Sequence, residues 1–177
     1  MFENALEWLA DAGLIHRVYA VDNIELPLAG FRERNNFKVY SLDTGLLAAQ
    51  AGIPTDALVR GDELFRTFHG AFVENYVVQH LVSYGIAPKD ELFFWKSESR
   101  KAEVDFIVQS GSYVFPLEVK AGINPRSKSL QSYNERYKPA ALLRTTLLNM
   151  MKNDLYVNIP LYAIGNLGRI MEAIQEH

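Results

Sequence analysis

The chain has 177 residues, 49% of them hydrophobic and 22% charged, with a formal net charge of −3, the balance of one medium globular domain or of one domain with a small appendage. It has no cysteine, which excludes disulfides, thiolate zinc sites and cysteine nucleophiles and fits a reducing, cytoplasmic setting. No apolar run reaches membrane-spanning length, the N-terminus lacks the pattern of a signal peptide, and no overall positive field would draw in nucleic acid, so any such contact rests on a local patch.

Phe2 to Ala12 is predicted to be a helix: Phe2, Leu6 and Leu9 recur at helical spacing and Gly13 suits the residue after a helix end. It starts almost at Met1 with no capping residue before it, which fits a segment cut from a longer chain and also a true start. Leu14–Ala20 and Asn36–Leu42 read as strands around a polar connection, and Asp43–Ala51 as a short helix ending at Gly52. A helix, a strand pair with a long loop and a second helix make a small winged-helix-like segment, residues 1–61. Asp22, Glu25 and Glu33 dilute its basic residues, so packing or partner contact is its expected role.

Gly52–Asp62, with Pro54 and Gly61, is the expected linker. The second unit, residues 62–177, opens with a helix over Glu63–Tyr84, apolar around most of its circumference and so expected to be buried. Strands are expected at Glu91–Ser97 and Pro160–Ile164, with helices over Ser127–Tyr137, capped by Ser127 or Ser129, and Leu167–Gln175; Ala140–Leu148, modest in β-branched residues, fits strand or helix, with strand favoured. The predicted class is α/β, a mixed central sheet flanked by helices.

The segment Glu103–Lys120 reads as two strands joined at Gly111-Ser112, the two-residue loop of a type II′ hairpin. That loop sets Ser110 against Tyr113, Asp105 against Glu118 and Glu103 against Lys120. With a period of two, Glu103, Asp105, Glu118 and Lys120 share one face, and Val104, Phe106 and Val108 face Val119, Leu117 and Phe115 on the other. Like charges directly opposite are unfavourable; Asp105 and Glu118 require a cation, a shared proton or Lys120 nearby. The same residues also fit a plain ionic strand face in which Glu103 pairs with Lys120.

Glu74 is a second anomaly. Its helical neighbours are Gly70, Ala71, Val77 and Val78, while Asn75, Gln79 and Ser83 form a separate polar stripe. An acid on an apolar face needs a partner or a metal; an arginine or a backbone donor would also serve. Lys96, Arg100 and Lys101 flank one end of the hairpin. Arg126, Lys128, Arg136, Lys138 and Arg144, with Tyr133 and Tyr137 among them, follow the other, either as a phosphate-binding surface or as a solvated helix face. His16, His69, His80 and His177 show no ligand spacing.

Asp105 followed by Glu118-x-Lys120 resembles the signature of the PD-(D/E)XK nuclease superfamily. Leu14-Ile15, Phe37–Leu47, Gly70–Asn75, Phe93–Lys96, Glu103–Ile107, Leu117–Lys120 and Pro160–Ile164 stand in the order of one family. Over nearly its whole length the chain resembles the C-terminal region of bacterial and archaeal AAA-type ATPases that carry a domain of unassigned function with this nuclease-like fold. The resemblance implies a restriction-endonuclease-like sheet and an ATPase module preceding this part. No Gly-x-x-x-x-Gly-Lys-Ser/Thr motif occurs, so no nucleotide site of that kind is expected in this chain. It further implies a metal-dependent nuclease acting on DNA or another nucleic acid. Asp105 and Glu118, with the Val119 carbonyl, would hold Mg²⁺ or Mn²⁺. Lys120 would be catalytic, Glu74 would hold a metal-bound water or a second metal, and Glu103 would support. The competing expectation is a non-catalytic module that binds a partner or regulates the ATPase.

Overall fold

The computed structural model describes residues 2–54, 63–97, 99, 101–122 and 127–176. Arg100, Arg126, His177 and most of the expected linker lie outside these residues. Among the described residues, helix α1 spans Phe2–Asp11, α2 Thr44–Gln50, α3 Glu63–Ser83, α4 Lys128–Tyr137 and α5 Leu167–Gln175. The strands are β1 Ile15–Val21, β2 Arg32–Ser41, β3 Phe93–Lys96, β4 Glu103–Ser110, β5 Tyr113–Val119, β6 Leu142–Thr146, β7 Met151–Asn153 and β8 Tyr156–Pro160.

All eight strands join one mixed sheet in the order β2-β1-β3-β4-β5-β6-β8-β7. β1 pairs antiparallel with β2 and parallel with β3, while β5, β6 and β8 run parallel. The first two strands therefore extend the sheet formed by the rest of the chain. Helices cover both faces, which gives the mixed α/β class its layers. Val73, Val77, Val78 and Leu81 of α3, with Leu167 and Met171 of α5, pack with Phe94, Phe106, Phe115 and Leu117. On the other face, Leu130 and Tyr133 of α4 pack with Tyr19, Trp95, Val104, Ile107 and Leu142. No described helix is long and apolar enough to cross a membrane.

Local chemistry accounts for much of this. Asp43 accepts from the Leu46 N–H at the start of α2, and Ser127 accepts from the Leu130 N–H at the start of α4, each satisfying a backbone donor that has no partner within the helix. Gly111 takes φ +59° and Ser112 stays at negative φ, the II′ pattern. Ser110↔Tyr113 through Phe106↔Leu117 pair as the loop requires. Pro116 is tolerated inside a central strand because the β5–β6 ladder begins only at Leu117.

Two expectations change, and one polar residue takes a role that the sequence did not assign. Pro160–Ile164 is not a strand: β8 ends at Pro160, and Leu161–Asn166 forms a 3-10 helix that buries Ile164. The apolar run suited a buried strand, but Pro160 has no N–H with which to continue a ladder. Asn75, of the polar stripe with Gln79 and Ser83, turns inward. It is buried, accepts from the Ser41 N–H and donates to the Ser41 carbonyl, pinning the end of β2 to α3. Tyr133 is fully buried edge-on to Trp95, and the Tyr137 hydroxyl accepts from the Trp95 indole N–H; both aromatics of α4 are packing residues.

Candidate active site

The site lies where the β4–β5 hairpin opens. From Trp95↔Val104 to Phe93↔Ile107, β3 advances two residues and β4 three. Asp105 and Phe106 together thus stand opposite Phe94, a β-bulge of the kind that re-aims side chains. Val104 and Ile107 pack on the α4 side, while Phe106 packs on the α3 side with its ring 6.0 Å from that of Tyr40. The strict alternation expected along β4 is therefore broken at the residue of interest.

The bulge leaves Asp105 beside the backbone of β5. Its Oδ2 accepts from the Val119 N–H at 2.7 Å. The next amide, that of Lys120, donates the opposite way, to the Thr145 carbonyl on β6. The Asp105 carboxylate thus takes the place of a ladder bond at the point where β4 and β5 part. Glu118, only 4% exposed, receives the Lys120 ammonium on Oε1 at 2.6 Å. Its Oε2 is buried and has no hydrogen-bond partner among the described residues, which is costly for a carboxylate oxygen unless a cation or water meets it.

Burial first, and the neighbouring Glu118 charge second, push the Asp105 carboxyl up to about 7; Glu74 adds to the effect, while the Val119 N–H and Lys38 oppose it. Asp105 and Glu118 are thus near enough for the charge of one to act on the other, but the β4–β5 ladder ends at Phe106↔Leu117 and they are not a ladder pair. Nor does Glu103 pair with Lys120. Glu103 binds Lys38 at 2.6 Å and Lys96 at 3.0 Å, because it stands opposite Lys96 on β3 and the β4–β5 ladder does not extend to it. Burial works against its charge, but the two lysines outweigh that and hold its carboxyl below the usual range.

Strand β2 supplies residues that sequence reasoning missed. The Tyr40 hydroxyl donates to Glu74 Oε2 at 2.7 Å, so the acid on the apolar helix face is satisfied by a phenol. Burial, then Glu74, raises the Tyr40 pKa far enough to keep it a donor. Lys38, two residues earlier on the same face, lies 4.0 Å from Asp105. Lys38 and Tyr40 form an i, i+2 pair whose positions were legible as strand, but nothing local showed which distant acids they meet.

Glu74, Asp105 and Glu118 interact electrostatically, yet among the described residues no three Asp, Glu or His side chains are gathered closely enough to hold a metal. Two carboxylates with water are an ordinary Mg²⁺ environment, and the open Oε2 of Glu118 is a suitable ligand atom. The fit is to a two-carboxylate site with Asp105 and Glu118, Glu74 being engaged by Tyr40.

A family profile described as a domain of unknown function, DUF4143, matches residues 69–164, and the chain belongs to that family. A second profile, also of a domain of unknown function, DUF8612, matches residues 1–57. Uncharacterized proteins of Mycobacterium bovis and Mycobacterium tuberculosis are each 33% identical over 105 residues, 58% of this chain. The chain spans 22% of the length of these relatives. No solved structure matches it.

Proposed function

We propose that the chain is the C-terminal module of an AAA-type ATPase, with a restriction-endonuclease-like core behind a winged-helix-like segment, and that it cleaves phosphodiester bonds with Mg²⁺ or Mn²⁺. The observation that carries this reading is the pair Asp105 and Glu118 at the opening of the hairpin, mutually repelling, with one buried carboxylate oxygen unsatisfied and Lys120 against the other. Asp105 and Glu118 would hold the ion, which supplies an acidified water and neutralises charge on the scissile phosphate. Lys120 is placed to orient that water and to offset negative charge developing on the phosphoryl oxygens. Lys38 and Lys96 hold Glu103, so that acid orders two cations beside the site and is not itself a ligand. Glu74, held by Tyr40, would hold a metal-bound water at the edge of the site.

One observation favours a second reading. Each acid already has an internal partner, Tyr40 for Glu74, the Val119 N–H for Asp105 and Lys120 for Glu118. A module that only binds a partner or regulates the ATPase would need no more. A thermal-shift titration with Mn²⁺ separates the two. Under the nuclease reading the wild type gains melting temperature in millimolar Mn²⁺ by preferential binding to the folded state, Asp105→Asn gains much less, and Lys120→Ala still responds to Mn²⁺ but cleaves no oligonucleotide. No shift in the wild type would leave the binding-module reading.

A further inference from the structure

A different group of residues gathers on β1 and the bulged part of β2, at the edge of the sheet. Between Tyr19↔Phe37 and Ala20↔Glu33, β1 advances one residue and β2 four, so Arg34, Asn35 and Asn36 bulge from the edge strand. Arg17 and Tyr19 lie on one face of β1 by strand alternation, and Arg32 stands opposite Val21 on that same face. The Arg32 guanidinium lies 4.7 Å from the Tyr19 ring centroid and that of Arg17 5.8 Å, with Phe37 tilted against Tyr19 at 5.6 Å. Arg17, Arg32, Arg34, Tyr19 and Phe37 line one open cavity of about 800 Å³. Glu7 and Asp90 line it too, but among the described residues neither ion-pairs with an arginine. Stacking engages the face of a guanidinium and leaves its N–H edge to grip an anion, the geometry that suits phosphate.

A second cavity, about 510 Å³, shares Arg34 and Asn35 with the first and reaches Lys96, which in turn bonds Glu103 beside Asp105. We infer that Arg17, Arg32 and Arg34 bind the phosphate backbone of a single-stranded nucleic acid, which passes the β2 bulge toward Lys96. A single strand can bend into such a concavity, whereas the phosphates of a duplex lie on a stiff convex cylinder. The inference rests on the proposed function for the strand's destination at Asp105 and Glu118, and not for the binding itself.

The test is fluorescence anisotropy of a labelled oligothymidylate with the whole chain in EDTA, where cleavage cannot intervene. Three phosphate contacts predict a log–log salt slope of about −2, roughly 20-fold weaker binding at about 200 mM than at about 50 mM salt. Arg17→Ala and Arg32→Ala should each weaken binding roughly tenfold and flatten the slope by about 0.7. Arg32→Lys should keep the slope but lose affinity, because the charge stays and the planar fork is lost. Arg169→Ala, an exposed arginine of α5, is the charge-matched control and should bind as wild type. Thermal melts confirm that each variant is folded. The inference is overturned by arginine variants that bind as tightly as wild type, by displacement of the oligonucleotide by equimolar inorganic triphosphate, or by a preference for duplex. Binding without any Mn²⁺ response would sink the nuclease reading alone, and a Mn²⁺ response with unaffected arginine variants would sink this inference alone.

Discussion

The two ends of the β4–β5 hairpin are built from the same alternating pattern and behave differently. At the turn end, Ile107↔Pro116 to Ser110↔Tyr113 pair without interruption, and Val108 and Phe115 are buried on the α3 side. At the open end one extra residue in β4 turns Asp105 and Phe106 out of register with β3, and a carboxylate replaces a ladder bond. Regular pairing buries apolar side chains and satisfies the backbone by itself. Where it stops, backbone donors become available to side chains, and charged groups are held at fixed places near the sheet's centre. The difference implies that the turn end supplies stability and that the open end gathers charged groups, at some cost in stability.

The largest test of that division is Phe115→Ala. Its side chain is fully buried, and removing it should lower unfolding free energy by about 3–5 kcal/mol in denaturant titration, whatever the pH. A loss under about 1 kcal/mol would show that the turn end is not what holds the sheet.

Asp105→Asn should do the reverse and should depend on pH. The folded carboxyl titrates near 7 and the ordinary value is 3.8, so the folded state holds its proton more tightly than the unfolded chain does. Wild-type stability from this group is therefore fully present below about pH 4 and is lost as pH rises toward 7. The loss is a few kcal/mol, since each tenfold difference in proton affinity between the folded and unfolded states is worth about 1.4 kcal/mol. The asparagine keeps an acceptor for the Val119 N–H and carries no charge. Metal-free, it should match the wild type near pH 4 and exceed it at pH 8. Parallel stability curves for the two proteins across that range would remove the repulsion from the account of the site.

Tyr40→Phe is the smallest of the three. It deletes the donor to Glu74 while preserving the ring packed on Phe106, and it should cost about 1–2 kcal/mol. It should also blunt the pH effect at Asp105 very little, since Glu74 contributes less there than burial and Glu118 do. An effect as large as that of Phe115→Ala would mean that the open end is as structural as the turn.

What was legible in the sequence follows the same line. The hairpin register could be read because Gly111-Ser112 and strand alternation are local. The bulge could not, because it is a mismatch in length between β4 and β3, and neither strand shows it alone. Tyr40 and Glu74 lie 34 positions apart, so the partner of the helix acid required the sheet order to be known. Asn75 was legible only as a polar position on the helix; the bare end of β2 that it clamps is a tertiary feature. Pro160–Ile164 reads as a strand from its apolar run; the proline, which cannot continue a ladder, is the one local sign against it.

The bond from the Val119 N–H to Asp105 makes one backbone amide an internal indicator. Its proton senses whether the carboxylate beside it is charged, protonated or drawn toward a cation, so in a nitrogen–proton correlation spectrum that single cross-peak would move with the state of the whole cluster. The neighbouring Lys120 amide, bonded to a carbonyl that does not titrate, is its built-in reference. The charge state of the cluster could then be followed in the intact protein in solution, with no ligand or substrate identified.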